Sequence, residues 1–245
     1  MARYPGRGLH GQAVHELGGR VVRGEWAPGQ TIYPEQLEAE LGVSKTVVRE
    51  ALRVLGAKGL VDSRPKRGTF VRERSEWNLL DSDVLQWQLL AGASDNLLAD
   101  LAELRVIVEP AAARLAARRH TAEDAERLGS ALDAMAAAEG DAEAAIAADL
   151  DFHRALLNAA HNELLQRMDV VLTNALGARD RLVHQQGDAW ADPTPMHAAI
   201  LERIRARDAE GSAAATLELL ASAEADAERV RGQAREPKPG GTQKS

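Results

Sequence analysis

The chain has 245 residues, a formal net charge of -7, 45% hydrophobic residues and 27% charged residues, the balance typical of soluble globular proteins. This length fits two domains. The absence of cysteine excludes disulfide scaffolds, thiolate zinc sites and cysteine nucleophiles. With no long apolar stretch and no signal-peptide pattern at the N-terminus, we expect a cytoplasmic protein that does not contact the membrane. Abundant alanine and only 3% aromatic residues favour a mostly helical fold.

Charge is unevenly distributed along the chain. Residues 1–75 contain 13 Lys and Arg against 8 Asp and Glu, whereas the remaining residues contain 17 against 29. A basic N-terminal part joined to an acidic remainder favours contact with nucleic acid through the first part.

The first third of the sequence predicts three helices and a β-hairpin. Apolar spacing indicates a helix from Leu9 to Arg23, and a second helix, Pro34–Leu41, has proline in its first turn and ends at Gly42. Ser44 is a good N-cap for a third helix, and residues 60–71 have the pattern of a β-hairpin. This order predicts a winged helix-turn-helix domain over residues 1–72.

The sequence predicts that the rest of the chain is mostly helical. Residues 73–94 are a predicted connector with Trp77 and Trp87 and a short helix. Residues 95–232 predict an antiparallel all-α bundle, with helix breaks expected near residues 121, 140–141, 161–162, 187–195 and 211–212. Residues 233–245, rich in Pro, Gly and Lys, predict a disordered tail. The expected fold class is therefore mostly α.

Common catalytic signatures are missing from the sequence. Residues 6–11 formally match G-x-G-x-x-G, but only five residues precede them, which leaves no room for the strand that a dinucleotide site requires. No nucleophile elbow, H-E-x-x-H pair or Walker loop occurs. We therefore expect that the protein is not an enzyme.

The third predicted helix and the hairpin tip carry the candidate DNA-binding residues. Hydroxyls, long cations and a helix N-terminus suit contacts with phosphates and base edges in a major groove. A hairpin tip with a glycine suits close approach to the adjacent minor groove. A solvated, charged helix face is the alternative interpretation. The candidates are Ser44, Lys45, Thr46, Arg49 and Arg53 on the helix, with Lys66, Arg67 and Gly68 at the tip.

Three linked segments carry a resemblance to a known family. Residues 41–55 (LGVSKTVVREALRVL), 59–61 (GLV) and 67–71 (RGTFV) resemble the DNA-binding domain of GntR-family bacterial transcription regulators, and the match covers roughly residues 9–72. The resemblance implies that Arg49 and Arg53, with Ser44 and Thr46, contact operator DNA, and that Gly68 leads the wing tip. One departure is Glu35-Gln36, since many relatives have a basic residue early in the second helix.

The C-terminal part resembles the FCD ligand-binding domain of FadR-type regulators, in residues 104–110, 149–153, 160–162 and 197–200. Asp149 and His153 are four residues apart, so on a helix they share one face and could chelate one divalent cation such as zinc. The resemblance adds His197 as a third ligand and places a fourth histidine where this chain has Leu219. Either water or the effector completes the site, or the metal has been lost and the first two residues are an intrahelical pair.

Arg105 is a second part of the candidate effector site, because it is a cation in an apolar stretch of its helix. Arg105 lies among core-like residues and needs a partner, which is either Glu109 on the next turn or the carboxylate of an effector. The connector, Trp77–Trp87, is similar to the connector of repressors of D-galactonate catabolism, which implies a sugar acid as effector. The candidate effector-binding residues are Arg105, Asp149, His153 and His197.

These observations predict a homodimeric transcription repressor whose binding to double-stranded operator DNA is controlled by a small carboxylate, such as galactonate or another organic acid. Two rival hypotheses remain open. One is a metal-dependent enzyme that uses Asp149, His153 and His197 around a water, although no general base or oxyanion device accompanies them. The other is an architectural DNA-binding protein without an effector.

Overall fold

The computed structural model describes residues 8–92, 94–138, 140–173, 177 and 192–235. The chain divides into two compact units, residues 1–94 and residues 95–245, which are taken in turn. The mostly α fold class is confirmed, and the one small sheet among the described residues lies in the first unit. Within the described ranges, no helix has both the length and the apolar character needed to cross a membrane.

The first unit is the predicted winged helix-turn-helix. Its helices are α1 (Gly8–Val22), α2 (Pro34–Leu41) and α3 (Lys45–Ala57), and its strands are β1 (Thr31–Ile32), β2 (Val61–Arg64) and β3 (Gly68–Val71). The antiparallel sheet has the order β1-β3-β2, with Thr31 opposite Phe70 and Ser63 opposite Thr69. The sequence predicted the hairpin but not β1, because two residues are too few to show a periodic pattern.

The turn between α2 and α3 fixes the orientation of α3. Gly42 adopts φ 63°, a left-handed conformation that glycine accepts without strain, and its N–H donates to the Glu38 carbonyl. Ser44 then caps α3 by accepting a hydrogen bond from the Val47 N–H. The buried stripe of α3 packs against α1, so its opposite face points to solvent. That stripe is Val48, Ala51, Leu52 and Leu55.

The predicted connector is largely part of the first unit. A 3-10 helix, Arg74–Glu76, leads to α4 (Ser82–Leu90). Trp87 of α4 is 1% exposed and lies against Gly18 of α1, where a Cβ would stand 2.3 Å from the indole ring. The Trp87 Nε1–H donates to His15 Nδ1 at 2.7 Å. These contacts make α4 an integral part of the core around α1.

The second unit is a helical bundle with the helices α5 (Asp95–Arg119), α6 (Ala122–Ala137), α7 (Ala142–Ala159), α8 (Glu163–Arg167), α9 (Thr194–Arg205) and α10 (Ala209–Arg235); residues 169–173 are also helical. Helix α5 packs on α7 and α10, and α9 packs on α5, α6 and α10. Small alanines alternate with Phe152, Leu156, Ile200 and Ile204 in its core. The side chains of α5, α7 and α9 therefore converge at one place.

Two predicted boundaries in the second unit are wrong. The break expected at residues 211–212 lies inside the first turn of α10, because Asp208 accepts the Gly211 N–H at 2.9 Å and starts the helix earlier. The tail expected to be disordered from residue 233 is still helical up to Arg235. Residues 236–245, and residues 187–191 of the predicted loop, lie outside the described residues.

Candidate functional site

The outward face of α3 carries all five of its candidate residues. Ser44, Thr46, Arg49 and Arg53 are exposed, and Lys45 is half-buried. Within the described residues, Arg49 forms no ion pair, and the Arg53 guanidinium lies 3.9 Å from the carboxylate of Glu50. The Ser44 hydroxyl accepts the Val47 N–H, which leaves its own hydrogen for another acceptor. The first turn of α3 thus presents cations and hydroxyl donors together.

An acidic residue shares this surface. Glu35, in the first turn of α2, places its Oε1 2.7 Å from Nζ of Lys45, and both side chains remain partly exposed. The hydrogen bond from Lys45 lowers the pKa of the Glu35 carboxyl, and the positive charge of Arg49 acts in the same direction. The carboxylate is therefore ionised at neutral pH beside two cations of the DNA-binding candidates.

The wing places its three candidate residues differently. Lys66 is exposed at the tip with φ 67°, and Gly68 follows with φ 81°. The Arg67 guanidinium carbon lies 3.5 Å from the centre of the Phe70 ring, and Arg67 also donates to the Gly29 carbonyl at 3.3 Å. Arg67 is therefore held against the body of the unit, while Lys66 projects from the tip.

A cluster of charged side chains lies inside the second unit, where α5, α7 and α9 meet. The Arg105 Nε–H donates to Glu109 Oε1 at 2.6 Å, and His153 Nδ1 lies 2.8 Å from Glu109 Oε2. His153 Nε2 is 3.8 Å from Asp149, and His197 Nε2 is 3.0 Å from Asp149 Oδ1. The structure thus brings all four sequence-predicted effector residues together and adds Glu109.

Hydrogen-bond partners set which nitrogen of each histidine faces the cluster. His197 Nδ1 lies 2.9 Å from the Pro193 carbonyl, which can only accept, so this nitrogen carries the hydrogen. Glu109 Oε2 lies 2.8 Å from His153 Nδ1, so its negative charge favours the same tautomer for His153, although the angle between them is not that of a hydrogen bond. Both Nε2 atoms therefore turn lone pairs towards Asp149, and the buried His197 Nε2 has no hydrogen-bond partner among the described residues.

This arrangement fits a divalent cation. One donor atom from each of Asp149, His153 and His197 lies within 4.8 Å of the others. Two imidazole nitrogens and a carboxylate oxygen are ligands that zinc accepts, and an orphaned buried lone pair is satisfied when it binds a cation. A carboxylate behind a ligating histidine, here Glu109 behind His153, is the usual support for such a site.

Electrostatics keep both buried carboxyls ionised. Burial alone would raise the pKa of Glu109, but the positive charge of Arg105 and the close contact with His153 outweigh it and lower this pKa to about 2. Burial would also raise the pKa of Asp149, and there His153 and His197 hold it well below its usual range. The cluster therefore presents two buried carboxylates beside the guanidinium of Arg105 and two imidazole rings.

A small cavity of about 40 Å³ adjoins the cluster and is lined by Arg105, Asp149, His153 and His197. Leu219 of α10 also lines it and is 4% exposed. Its side chain has no atom that binds a metal, so any remaining coordination positions fall to water or a bound ligand. A volume of this size holds an ion with one or two waters, and a larger ligand requires the cavity to widen.

Sequence reasoning missed Glu109 as part of this site. The spacing of four residues indicates Glu109 only as a partner of Arg105 on the same helix. Its contact with His153 on α7 depends on the packing of α5 against α7, which the sequence does not specify.

Comparison with known proteins identifies the chain. Residues 9–71 match the gntR family of bacterial regulatory proteins, and residues 100–222 match the FCD domain. The galactonate operon transcriptional repressor of Escherichia coli (strain K12) is 37% identical over 215 residues, which cover 85% of this chain and 92% of that protein. The chain belongs to the GntR family. It is a transcription regulator with an FCD domain, and the prediction that it is not an enzyme is confirmed by its relatives.

Solved structures support the fold of this GntR-family regulator. Lar of Listeria monocytogenes, described as controlling the expression of the agr system, has a TM-score of 0.62 at 19% identity and covers 93% of this chain and 99% of its own. McbR/YncC of E. coli has a TM-score of 0.55 at 21% identity, with the same coverage. At these sequence identities, the similarity of the solved structures is evidence for the fold of this GntR-family regulator and not for its ligands or targets.

Proposed function

We propose that the protein is a repressor that binds a palindromic operator as a homodimer and is released by a sugar acid such as galactonate. It acts in the cytoplasm, where the chromosome lies. The observation that carries the proposal is the buried Arg105 beside the Asp149–His153–His197 cluster, in a chain 37% identical to a galactonate operon repressor. Another organic acid is the alternative effector, because pockets in related regulators change readily.

DNA binding is assigned to the outward face of α3 and the wing. Arg49 is exposed and without an ion pair within the described residues, so it is available for a bidentate contact with a guanine edge or a phosphate. Ser44, Lys45, Thr46 and Arg53 flank it, and Lys66 with Gly68 extends the surface to the minor groove. The position of Arg67 against Phe70 supports a role in holding the wing.

Replacement of Arg49 tests this assignment. Arg49→Ala should weaken operator binding by about 1–3 kcal/mol without loss of helicity. Fluorescence anisotropy with a labelled operator duplex measures the change, and circular dichroism checks the fold. Arg154→Ala, which removes an exposed cation from the second unit, serves as the charge-matched control. Operator binding by Arg49→Ala equal to that of the parent would overturn the assignment of α3.

The effector pocket is assigned to the cavity beside Arg105. A planar guanidinium suits a carboxylate in a bidentate pair, while Asp149, His153 and His197 suit either the hydroxyls of a sugar acid or a metal that binds its α-hydroxyl. The cavity of about 40 Å³ is small for such a ligand, so we infer that binding widens it and shifts the residues around it. That movement supplies the differential affinity for two conformations that regulation requires.

A divalent metal, zinc or a similar ion, is proposed at Asp149, His153 and His197. When bound, it would supply a positive charge for the carboxylate and hydroxyl oxygens of the effector. The two histidines would each offer Nε2, and Glu109 would orient His153. The hydrophobic Leu219 in place of a fourth histidine favours weak binding of the metal, with positions open to the effector.

Metal and effector are tested together. A thermal-shift panel of sugar acids and other carboxylates, with and without EDTA, should give stabilisation by one hexonate that chelation reduces. Metal analysis of protein equilibrated with dilute Zn²⁺ should find about one ion per chain. If no metal is found and EDTA changes nothing, the three residues form a hydrogen-bonded cluster that contacts the effector directly.

The homodimer is proposed because a palindromic operator matches two-fold protein symmetry. The second unit offers an apolar groove of about 700 Å³ between α5 and α10. Val106, Ile107 and Leu217 beside it are 48%, 70% and 44% exposed, which is unusual for large apolar side chains on a monomer surface. Sedimentation analysis of Ile107→Lys should detect a shift towards monomer; the control is Ala134→Lys, at an exposed position of α6 that does not line the groove.

A further inference from the structure

The most unusual feature of the DNA-binding face is the carboxylate of Glu35. Its Oε1 lies 2.7 Å from Nζ of Lys45, the first residue of α3, and the positive charge of Arg49 also stabilises its ionised form. Its side chain is 63% exposed, so it would meet DNA together with these cations. A negative charge at that place repels phosphates, and each sequence-independent contact becomes weaker.

Two ordinary explanations cover part of this observation. The first turn of a helix favours an acidic residue because of the helix dipole, which explains a carboxylate at Glu35 but not its contact with Lys45. An exposed ion pair adds little to stability, so the Glu35–Lys45 pair is not explained by a need to stabilise the fold. The pair does reduce the net positive charge at the start of α3, because the carboxylate of Glu35 offsets the charge of Lys45.

A carboxylate can also contribute a favourable contact in the major groove. Glutamate accepts a hydrogen bond from the amino group of cytosine, whereas phosphates and base carbonyls repel it. Residues at the N-terminus of the recognition helix are those that reach base edges, and Lys45 holds Glu35 at that end of α3. Its effect on binding therefore depends on the base that it meets, which is the basis of discrimination against wrong sequences.

We propose that Glu35 is a specificity-determining residue, whose carboxylate, held by Lys45, accepts an amino hydrogen from a base of the operator and weakens binding to DNA that offers none. This inference rests on the proposed function, because it assumes that α3 enters the major groove. On non-operator DNA the Glu35–Lys45 pair removes one phosphate contact. On the operator, the base contact compensates for that loss.

The isosteric variant Glu35→Gln measures the effect. Freed from its partner, Lys45 gains a phosphate, so binding to a scrambled duplex should tighten about fivefold at 0.15 M salt, and the slope of log K against log salt should steepen by about 0.9. Affinity for the operator should rise less or fall. The ratio of operator to scrambled affinity should therefore decrease.

Glu40→Gln is the matched control, because Glu40 lies on the same helix but pairs with Arg20. It removes the same charge away from α3 and should leave the operator-to-scrambled ratio unchanged. The operator duplex is selected from random-sequence DNA by the parent full-length protein. The selection is then repeated with Glu35→Gln, which should lose preference at one base pair per half-site and keep the others.

Two results would overturn the inference: equal changes in operator and scrambled affinity for Glu35→Gln, or a selected motif identical to that of the parent. Arg49→Ala, measured in the same assays, separates this failure from failure of the proposed function. If Arg49→Ala abolishes operator preference while Glu35→Gln retains all of it, Glu35 is only a surface partner of Lys45. If Arg49→Ala also has no effect, α3 is not the recognition helix and both proposals fall.

Discussion

Replacing Arg105 tests the energetics of the buried cluster and its role in effector binding at once. Arg105 is 6% exposed and Glu109 is 1% exposed, and 2.6 Å separates Arg105 Nε from Glu109 Oε1. Arg105→Ala leaves the Glu109 carboxylate buried, with the His153 imidazole at 2.8 Å as its remaining polar neighbour in the described residues. The variant should therefore be less stable than the parent as well as unable to hold a carboxylate ligand.

The magnitude follows from the cost of an uncompensated buried charge. Removing one partner of a buried ion pair costs about 3–5 kcal/mol, and His153 retains part of the compensation, so we expect about 3 kcal/mol. For a chain of this size that loss corresponds to a decrease in Tm of about 6–12 °C. Arg105→Ala combined with Glu109→Gln removes both charges and should recover most of the loss.

Thermal unfolding of the full chain, followed by circular dichroism, gives the stability of the four members of this double-mutant cycle. Operator anisotropy with and without galactonate gives their response to the effector. The double variant should bind the operator but no longer release it, whereas Glu109→Gln alone should still respond. A loss below about 1 kcal/mol for Arg105→Ala would refute the buried pair, and normal release by the double variant would refute Arg105 as the effector anchor.

Three further outcomes are expected. Lys66→Gly should leave the fold as stable or slightly more stable, since φ 67° suits glycine, but it should reduce the salt slope of DNA binding by about 0.9 in an anisotropy titration. Gly18→Ala should lower the free energy of unfolding by about 1–3 kcal/mol in a thermal or urea denaturation, because its Cβ would overlap Trp87; stabilisation by the extra methyl group, as in an unobstructed helix, would contradict the docking of α4. His153→Ala should abolish the effect of galactonate on operator binding, and EDTA treatment of the parent should reproduce this loss if the metal is present.

The sequence contained the signals for most of the first unit. Gly42 and Ser44 act through local backbone geometry and a local cap, so the boundary between α2 and α3 follows from a few adjacent residues. The apolar stripe of α3 similarly fixes its outward face. The position of Arg67 on Phe70 was not predictable, since it depends on how the hairpin folds back over a ring three residues away.

For the second unit, the sequence determined that helices form and that Asp149 and His153 share one face, because both follow from the period of a single helix. Tertiary structure alone decided that Glu109 of α5 supports His153, that His197 of α9 faces Asp149, and that Leu219 lines the same cavity. These contacts join residues far apart in the chain. Their geometry depends on how α5, α7, α9 and α10 pack, and the helical period of each segment constrains that packing only loosely.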